Sequence, residues 1–249
     1  SVGWFSEVLH DLNRAFVKKV IRLALDTLRE EGIYMPQASF CLFFAGRGGR
    51  KELFTRSAMD RGLVYSADRA QDRSACKVFF RKLSVRIHEG LLKCGWTKNV
   101  AGNTEKTPSW CQPLENWRAY FEEWIESADG ARLRDNCHWF DMLPADGLEE
   151  LVGDLYSQRQ ILIERNPGFV RRSAEVALEN APPVEVYETF NLHRPGTRRP
   201  AFDLDSNVLA PMVQLGRLLA FGHGIHDRTS TYDRLKALAM ADSDHQNLY

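Results

Sequence analysis

The sequence predicts an α+β fold: a small mixed sheet with flanking helices, followed by an α-helical bundle. Three observations carry this. Residues 40–45 form a continuous apolar run, too short for an ordinary helix, that ends in the cluster Gly46, Gly48 and Gly49. That is the pattern of a buried strand entering a turn. Residues 63–65, Leu-Val-Tyr, read as a second strand soon afterwards. From residue 148 onward apolar residues recur mostly at three- and four-residue steps, in segments punctuated by Pro182-Pro183, Pro195-Gly196 and Pro200, as in consecutive helices.

The elements follow in order. Residues 4–31 are predicted as helix, because Val8, Leu9, Leu12, Phe16, Val20, Leu23 and Leu28 keep helical spacing with charges between them. Gly32 stops that helix and Pro36 follows. After the strand at 40–45, the glycine turn opens a short helix. Helical spacing returns over 75–93 through Val78, Phe79, Leu83, Ile87, Leu91 and Leu92. Residues 95–113 concentrate Gly, Asn, Thr and Pro, and a loop of that length often lines a site. Residues 114–127 are helical, with Trp117, Phe121, Trp124 and Ile125 on one side, and 139–143 form a short strand. Helices over 148–166, 168–180, 208–223 and 230–240 complete the chain. The expected division is a sheet-and-helix domain, 1–143, and a helical domain, 144–249, meeting near Pro144.

Composition excludes several classes. The 249 residues are 44% hydrophobic, enough for a proper core. Lysine plus arginine equal aspartate plus glutamate at 33 each, so the chain-wide charge gives no strong nucleic-acid signal. No apolar run approaches the ~20 residues that cross a bilayer, and no basic segment with an apolar core opens the chain; a membrane partner is not expected. Five cysteines, without repeating spacing, fit reduced thiols in a cytoplasmic protein better than a disulfide framework. The chain lacks an initiator methionine and begins almost inside a helix, so upstream domains are expected.

The glycine turn is where chemistry is expected. A phosphate-binding turn needs glycines for close backbone approach and amides that meet the anion. Gly46, Arg47, Gly48, Gly49 and Arg50 supply glycines and positive charge. Metal-dependent nucleotidyl transfer also needs carboxylates, since Mg²⁺ prefers oxygen ligands and must bridge protein and phosphates. Two carboxylates one residue apart on a strand point to the same side. Here Asp60 occupies the second such position and Ala58 the first, while Asp141 offers a carboxylate from another strand.

The run Gly46-Arg47-Gly48-Gly49-Arg50-Lys51-Glu52, followed by Ala58-Met59-Asp60, resembles the nucleotidyltransferases of the DNA polymerase beta-like superfamily. It is most similar to those often fused to cystathionine-beta-synthase-type domains, which are related to protein-PII uridylyltransferases. That pattern is Gly-Ser-x-Gly-Arg-x-Glu, then six residues to Asp-x-Asp. Gly46, Gly49, Arg50, Glu52 and Asp60 fit it. Similar matches run along nearly the whole chain. They include Trp110-Cys-Gln-Pro-Leu-Glu-Asn-Trp117, Phe140-Asp141 with Pro144 and Gly147, Asn166-Pro-Gly-Phe169, and Pro182-Pro183. Phe202-Asp-Leu-Asp205, the stretch from Leu209 through Arg217, and Thr231 with Arg234-Leu235 continue the series.

The resemblance implies a nucleotidyltransferase-type sheet domain and a substrate-binding-like helical domain. It implies a nucleoside triphosphate as ligand or substrate, Mg²⁺ if the protein is active, and a protein or small-molecule acceptor or a regulatory partner. Catalysis and metal binding would fall to Asp60 and Asp141, and nucleotide binding to Gly46, Arg47, Gly48, Gly49, Arg50 and Glu52. The chemistry would be in-line attack on the α-phosphate with pyrophosphate leaving. Four departures stand at functional positions: Arg47 for serine, Ala58 for the first metal aspartate, Leu143 for arginine and Asp205 for lysine. They lead us to expect a catalytically impaired module that works by nucleotide binding or regulation. The alternatives are an active metal-dependent transferase and a protein-interaction domain without nucleotide.

Other candidates weigh less. His223-Gly-Ile-His226 reads as a helix end, and Cys94, Cys111, Cys137 and His138 match no common zinc spacing. Trp117 and Trp124 are expected in the core, whereas Trp96 and Trp110, flanking the irregular loop, are the better base-stacking candidates. Arg171-Arg172 and Arg198-Arg199 read as solvated charge.

Overall fold

The computed structural model describes residues 2–52, 60–96, 110–127, 130–178 and 208–241. Four strands form one sheet: β1 (Ala38–Phe44), β2 (Arg61–Ala67), β3 (Cys111–Pro113) and β4 (Leu143–Gly147), in the order β3-β2-β1-β4. β1 pairs antiparallel with β2 and with β4, and β2 pairs parallel with β3, so the sheet is mixed.

Strand periodicity of two decides what each face buries. Leu42, Phe44, Leu63 and Tyr65 join the core cluster with helices α1 (Val2–Glu30) and α3 (Arg73–Lys93). α1 contributes Val17, Val20, Ile21, Ala24 and Leu28, and α3 contributes Phe79, Phe80, Leu83, Ile87 and Leu91. The Tyr65 and Phe80 rings stack at 4.5 Å. On the opposite face Phe43 meets Trp117 of α4 (Leu114–Glu126) and Trp139, edge to face at 5.2 and 6.2 Å. The Trp117 indole N–H donates to the Leu63 carbonyl, which satisfies its polar edge inside the core.

Close backbone contacts divide the chain into two compact units, Ser1–Glu123 with Asn136–Ile161, and Trp124–Asp135 with Leu162–Tyr249. The expected boundary at 143/144 falls inside β4, a strand of the first unit's sheet. The second unit contains α5 (Gly130–Asn136) almost entirely, α7 (Gly168–Leu178), α8 (Ala210–Gly222) and α9 (Thr231–Ala241). α6 (Glu150–Arg165) begins in the first unit and ends in the second. Within the second unit α8 packs between α7 and α9, burying Leu218, Ala220 and Phe221. Arg234 is fully buried there. Its Nε donates to the Arg228 carbonyl and its guanidinium lies over the Phe221 ring.

Most expected elements match within a few residues. One does not: 139–143 is not a strand. Cys137–Phe140 is a 3₁₀ turn and the strand starts at Leu143. Among the described residues α5, β3 and a 3₁₀ turn at Ala70–Asp72 were not expected. Among the described residues no helix is long and apolar enough to cross a membrane.

Candidate functional site

The glycine cluster is itself the helix. Gly46–Gly49 forms one turn, α2, directly after β1. Gly46 has φ +53, a backbone region where side chains are strained, and a Cβ there would lie 3.0 Å from Asp60 Oδ2 and 3.3 Å from His138 Cβ. Asp60 therefore lies against the start of the turn, and its carbonyl accepts from the Ala45 amide. Arg47, at the position of the motif serine, is exposed.

The turn's amides point mostly inward. Those of Gly48 and Gly49 donate to Ala45 O, Arg50 to Gly46 O, Lys51 to Gly48 O and Glu52 to Arg47 O. The expectation that a row of amides faces an anion thus does not extend to residues 48–52.

Asp141 is brought to the turn but not presented by it. Its side chain is fully buried, and Arg50 Nη1 donates to its Oδ2 at 2.8 Å. Arg50 is itself buried, and its Nε donates to Glu52 Oε2 at 2.7 Å. At Gly49 a Cβ would stand 1.9 Å from the Asp141 carbonyl oxygen, so only glycine fits. α6 grips the same segment from its other side: Arg159 donates to the Phe140 carbonyl and Tyr156 to the Met142 carbonyl. Asp141 is clasped through its carboxylate, its own carbonyl and both neighbouring carbonyls.

Of the expected site residues, Gly46, Gly48, Gly49, Arg50, Glu52, Asp60 and Asp141 thus gather around α2, with Arg47 on its outer side. Ala58 lies outside the described residues, as do Asp205 and Arg198-Arg199. Two groups near the turn were not anticipated. His138 borders Gly46, and its place three residues before Asp141 was the available signal. Arg61, next to Asp60, reaches His88 Nδ1 at 2.7 Å and lies over the Trp110 ring at 5.2 Å. Burial pushes its guanidinium down to about 10, with Asp60 opposing the shift.

The first turns of α1 reach the other end of α2. Ser6 donates its hydroxyl to the Lys51 carbonyl, and Lys51 Nζ meets Glu7 Oε1 and Oε2 at 2.9 and 2.8 Å. A shallow recess there, roomy enough for little more than a water molecule, is lined by His10, Asn13, Phe44, Gly48 and Lys51. Burial, with Lys51 adding to it, lowers the His10 pKa below its ordinary 6.5. The unfolded chain then binds a proton that the folded chain refuses. Stability is complete above pH 6.5 and is lost as pH falls below it, by at most about 1.4 kcal/mol per pH unit for one proton. Melting temperatures measured between pH 7.5 and pH 5 should fall, and less steeply in His10→Gln; equal slopes would exclude His10 as the source.

The remaining candidates resolve simply. Trp96 is buried in the core cluster rather than facing a ligand, and Trp110 packs against that cluster. Trp117 and Trp124 are core, as expected. His223 ends α8, with its Nδ1 at the Leu219 carbonyl. The cysteines are free thiols, and burial drives those of Cys41 and Cys111 up to about 12. Arg171 is exposed, whereas Arg172 donates to the Ile125 carbonyl. Among the described residues no three His, Cys, Asp or Glu side chains gather as a metal site.

No curated protein matches the chain. Residues 167–247 match a family described as "Putative nucleotidyltransferase substrate binding domain". Residues 1–131 match the family described as "Putative nucleotidyltransferase DUF294". The latter match takes in β1, α2, Asp60 and β2 and spans more than half of the 249 residues, and the chain belongs to this nucleotidyltransferase family.

Proposed function

We propose that the chain is a nucleotide-binding member of this family, related to protein-PII uridylyltransferases, in which efficient nucleotidyl transfer is lost. Nucleotide occupancy then serves regulation, in a cytoplasmic setting. One observation carries the reading: the Asp141 carboxylate is fully buried and spent on Arg50. A metal ligand must turn an oxygen lone pair toward the ion, and a neighbouring guanidinium competes for that charge.

With alanine at 58 in the sequence, the acidic groups that the described residues bring to the turn besides Asp141 are Asp60, beside Gly46, and Glu52, which itself pairs with Arg50. This set does not fit the cage that would clamp both attacking and leaving oxygens through two Mg²⁺ ions. The reading therefore contains no metal-dependent step. Arg47 is exposed at the same turn, and a guanidinium there recognises phosphate by charge-assisted hydrogen bonds. Triphosphate binding would then fall to Arg47, with the glycines allowing close approach.

Calorimetric titration with each of the four ribonucleoside triphosphates tests this. Saturable heat with at least one is expected, weakened roughly tenfold in Arg47→Ala, about 1.4 kcal/mol. A labelled-nucleotide assay on the same protein should show no transfer to protein or small acceptors. Transfer would establish the working enzyme instead. Absence of heat with all four nucleotides would reject binding and leave an interaction domain.

A further inference from the structure

α1 carries two apolar stripes, and the described residues cover only one. Val17, Val20, Ile21, Ala24 and Leu28 are buried against the sheet and α3. Phe5, Val8, Leu12, Phe16 and Leu23 are each between 43% and 51% exposed. At about 100° per residue these five fall within a sector of roughly 80°, well separated from the buried stripe. The exposed stripe is about 27 Å long at ~1.5 Å per residue. In the first half of the helix the usual polarity is inverted: His10 and Asn13 are buried while Val8 and Leu12 face outward.

Charge beside the stripe identifies what covers it. One flank carries Glu7 and Asp11 near the start of the helix and Lys18 and Arg22 further along, all exposed residues. Glu7 also pairs with Lys51, and Lys18 lies 3.7 Å from Asp146, both at the surface. In an antiparallel pair of identical helices each flank meets itself reversed. A pairing centred near Arg14 sets Phe5 against Leu23 and Leu12 against Phe16. It also sets Glu7 near Arg22 and Asp11 near Lys18 of the second copy. A parallel pair would instead set this flank against the opposite one, near Leu9 and Thr27, which carries no complementary charge. Lys19 falls within the stripe, where its alkyl stem extends apolar cover while its ammonium reaches water.

We propose that this face of α1 is an isologous interface with a second copy of the same chain, the two helices running antiparallel. Sedimentation equilibrium of the 249-residue chain at micromolar loading should give twice the 28.5 kDa chain mass. Leu12→Glu with Phe16→Glu should weaken association at least about 100-fold, with the circular dichroism unchanged because both positions are exposed. Asp11→Lys alone should weaken it roughly tenfold, and Asp11→Lys with Lys18→Asp should restore it. A wild-type chain that sediments at 28.5 kDa throughout overturns the proposal, whatever else binds the stripe. So does a double glutamate variant that remains dimeric. Failure of the reversed charge pair to restore association overturns the antiparallel arrangement. These readouts do not involve nucleotide.

Discussion

Replacing Arg50 with methionine is expected to remove about 3–5 kcal/mol of folding stability, because it leaves the Asp141 carboxylate buried without its cation. For a chain of this size each kcal/mol lowers the melting temperature by about 2–4 °C, so the fall should be on the order of 10 °C. The loss is specific to breaking the pair. Arg50→Met combined with Asp141→Leu removes both charges, and apolar replacement of a buried pair is often neutral. A double-mutant cycle by thermal denaturation should therefore show strong coupling, with the double variant more stable than Arg50→Met alone. Additive losses would show that the ion pair does not prop the turn. Glu52 moderates the effect little, since it contacts Arg50 rather than Asp141.

The second large effect is expected at Gly49. An alanine there drives its methyl group to 1.9 Å from the Asp141 carbonyl oxygen and 2.7 Å from its carbon. Both atoms are backbone. Their segment is tied by Arg159 and Tyr156, so no flexible side chain can yield. Gly49→Ala should cost about 3 kcal/mol, the upper end of overpacking penalties. Gly153 in α6 is the internal control. A Cβ there meets nothing within 4 Å, so Gly153→Ala should stabilise by roughly 0.5–1 kcal/mol through helix propensity alone. Denaturant melts of the two variants should move in opposite directions. A Gly49→Ala protein as stable as wild type would show that α2 does not sit against Asp141.

The fold was legible where one periodicity dominates. The apolar run at 40–45 and the spacing through α1, α3, α4, α6, α7, α8 and α9 each point to one element, and the structure has it. The fourth strand was misplaced for a physical reason. Trp139 and Phe140 have high β propensity, but their rings are drawn into packing with Trp117 and Phe121, and the backbone turns there. The ladder falls instead to Leu-Pro-Ala-Asp-Gly, poor strand formers that pair because β1 offers an edge and takes up a register shift between Leu42 and Phe43. β3 has three residues, too few for an alternation to show.

The candidate site was legible as a set of residues and not as a set of roles. Glycine spacing found the turn, and the acidic positions found its neighbours. That Asp141 would be spent on Arg50 depends on a contact between residues 91 apart in the chain. That the amides of 48–52 would bond internally depends on the turn closing as α2. Neither leaves a local mark in the sequence. Trp96 was misjudged because its loop position outweighed its size, yet a large aromatic that can reach a core is usually drawn into it.

Lys51 adopts φ +60 although it is not glycine, a conformation that costs a non-glycine residue about 1–2 kcal/mol. Ser6 and Glu7 keep it there from α1. The leading turns of that helix therefore act as a latch on a cocked peptide just beyond Arg50. Arg50 is the residue before Lys51, so the latch and the guanidinium that restrains Asp141 share one short stretch of backbone.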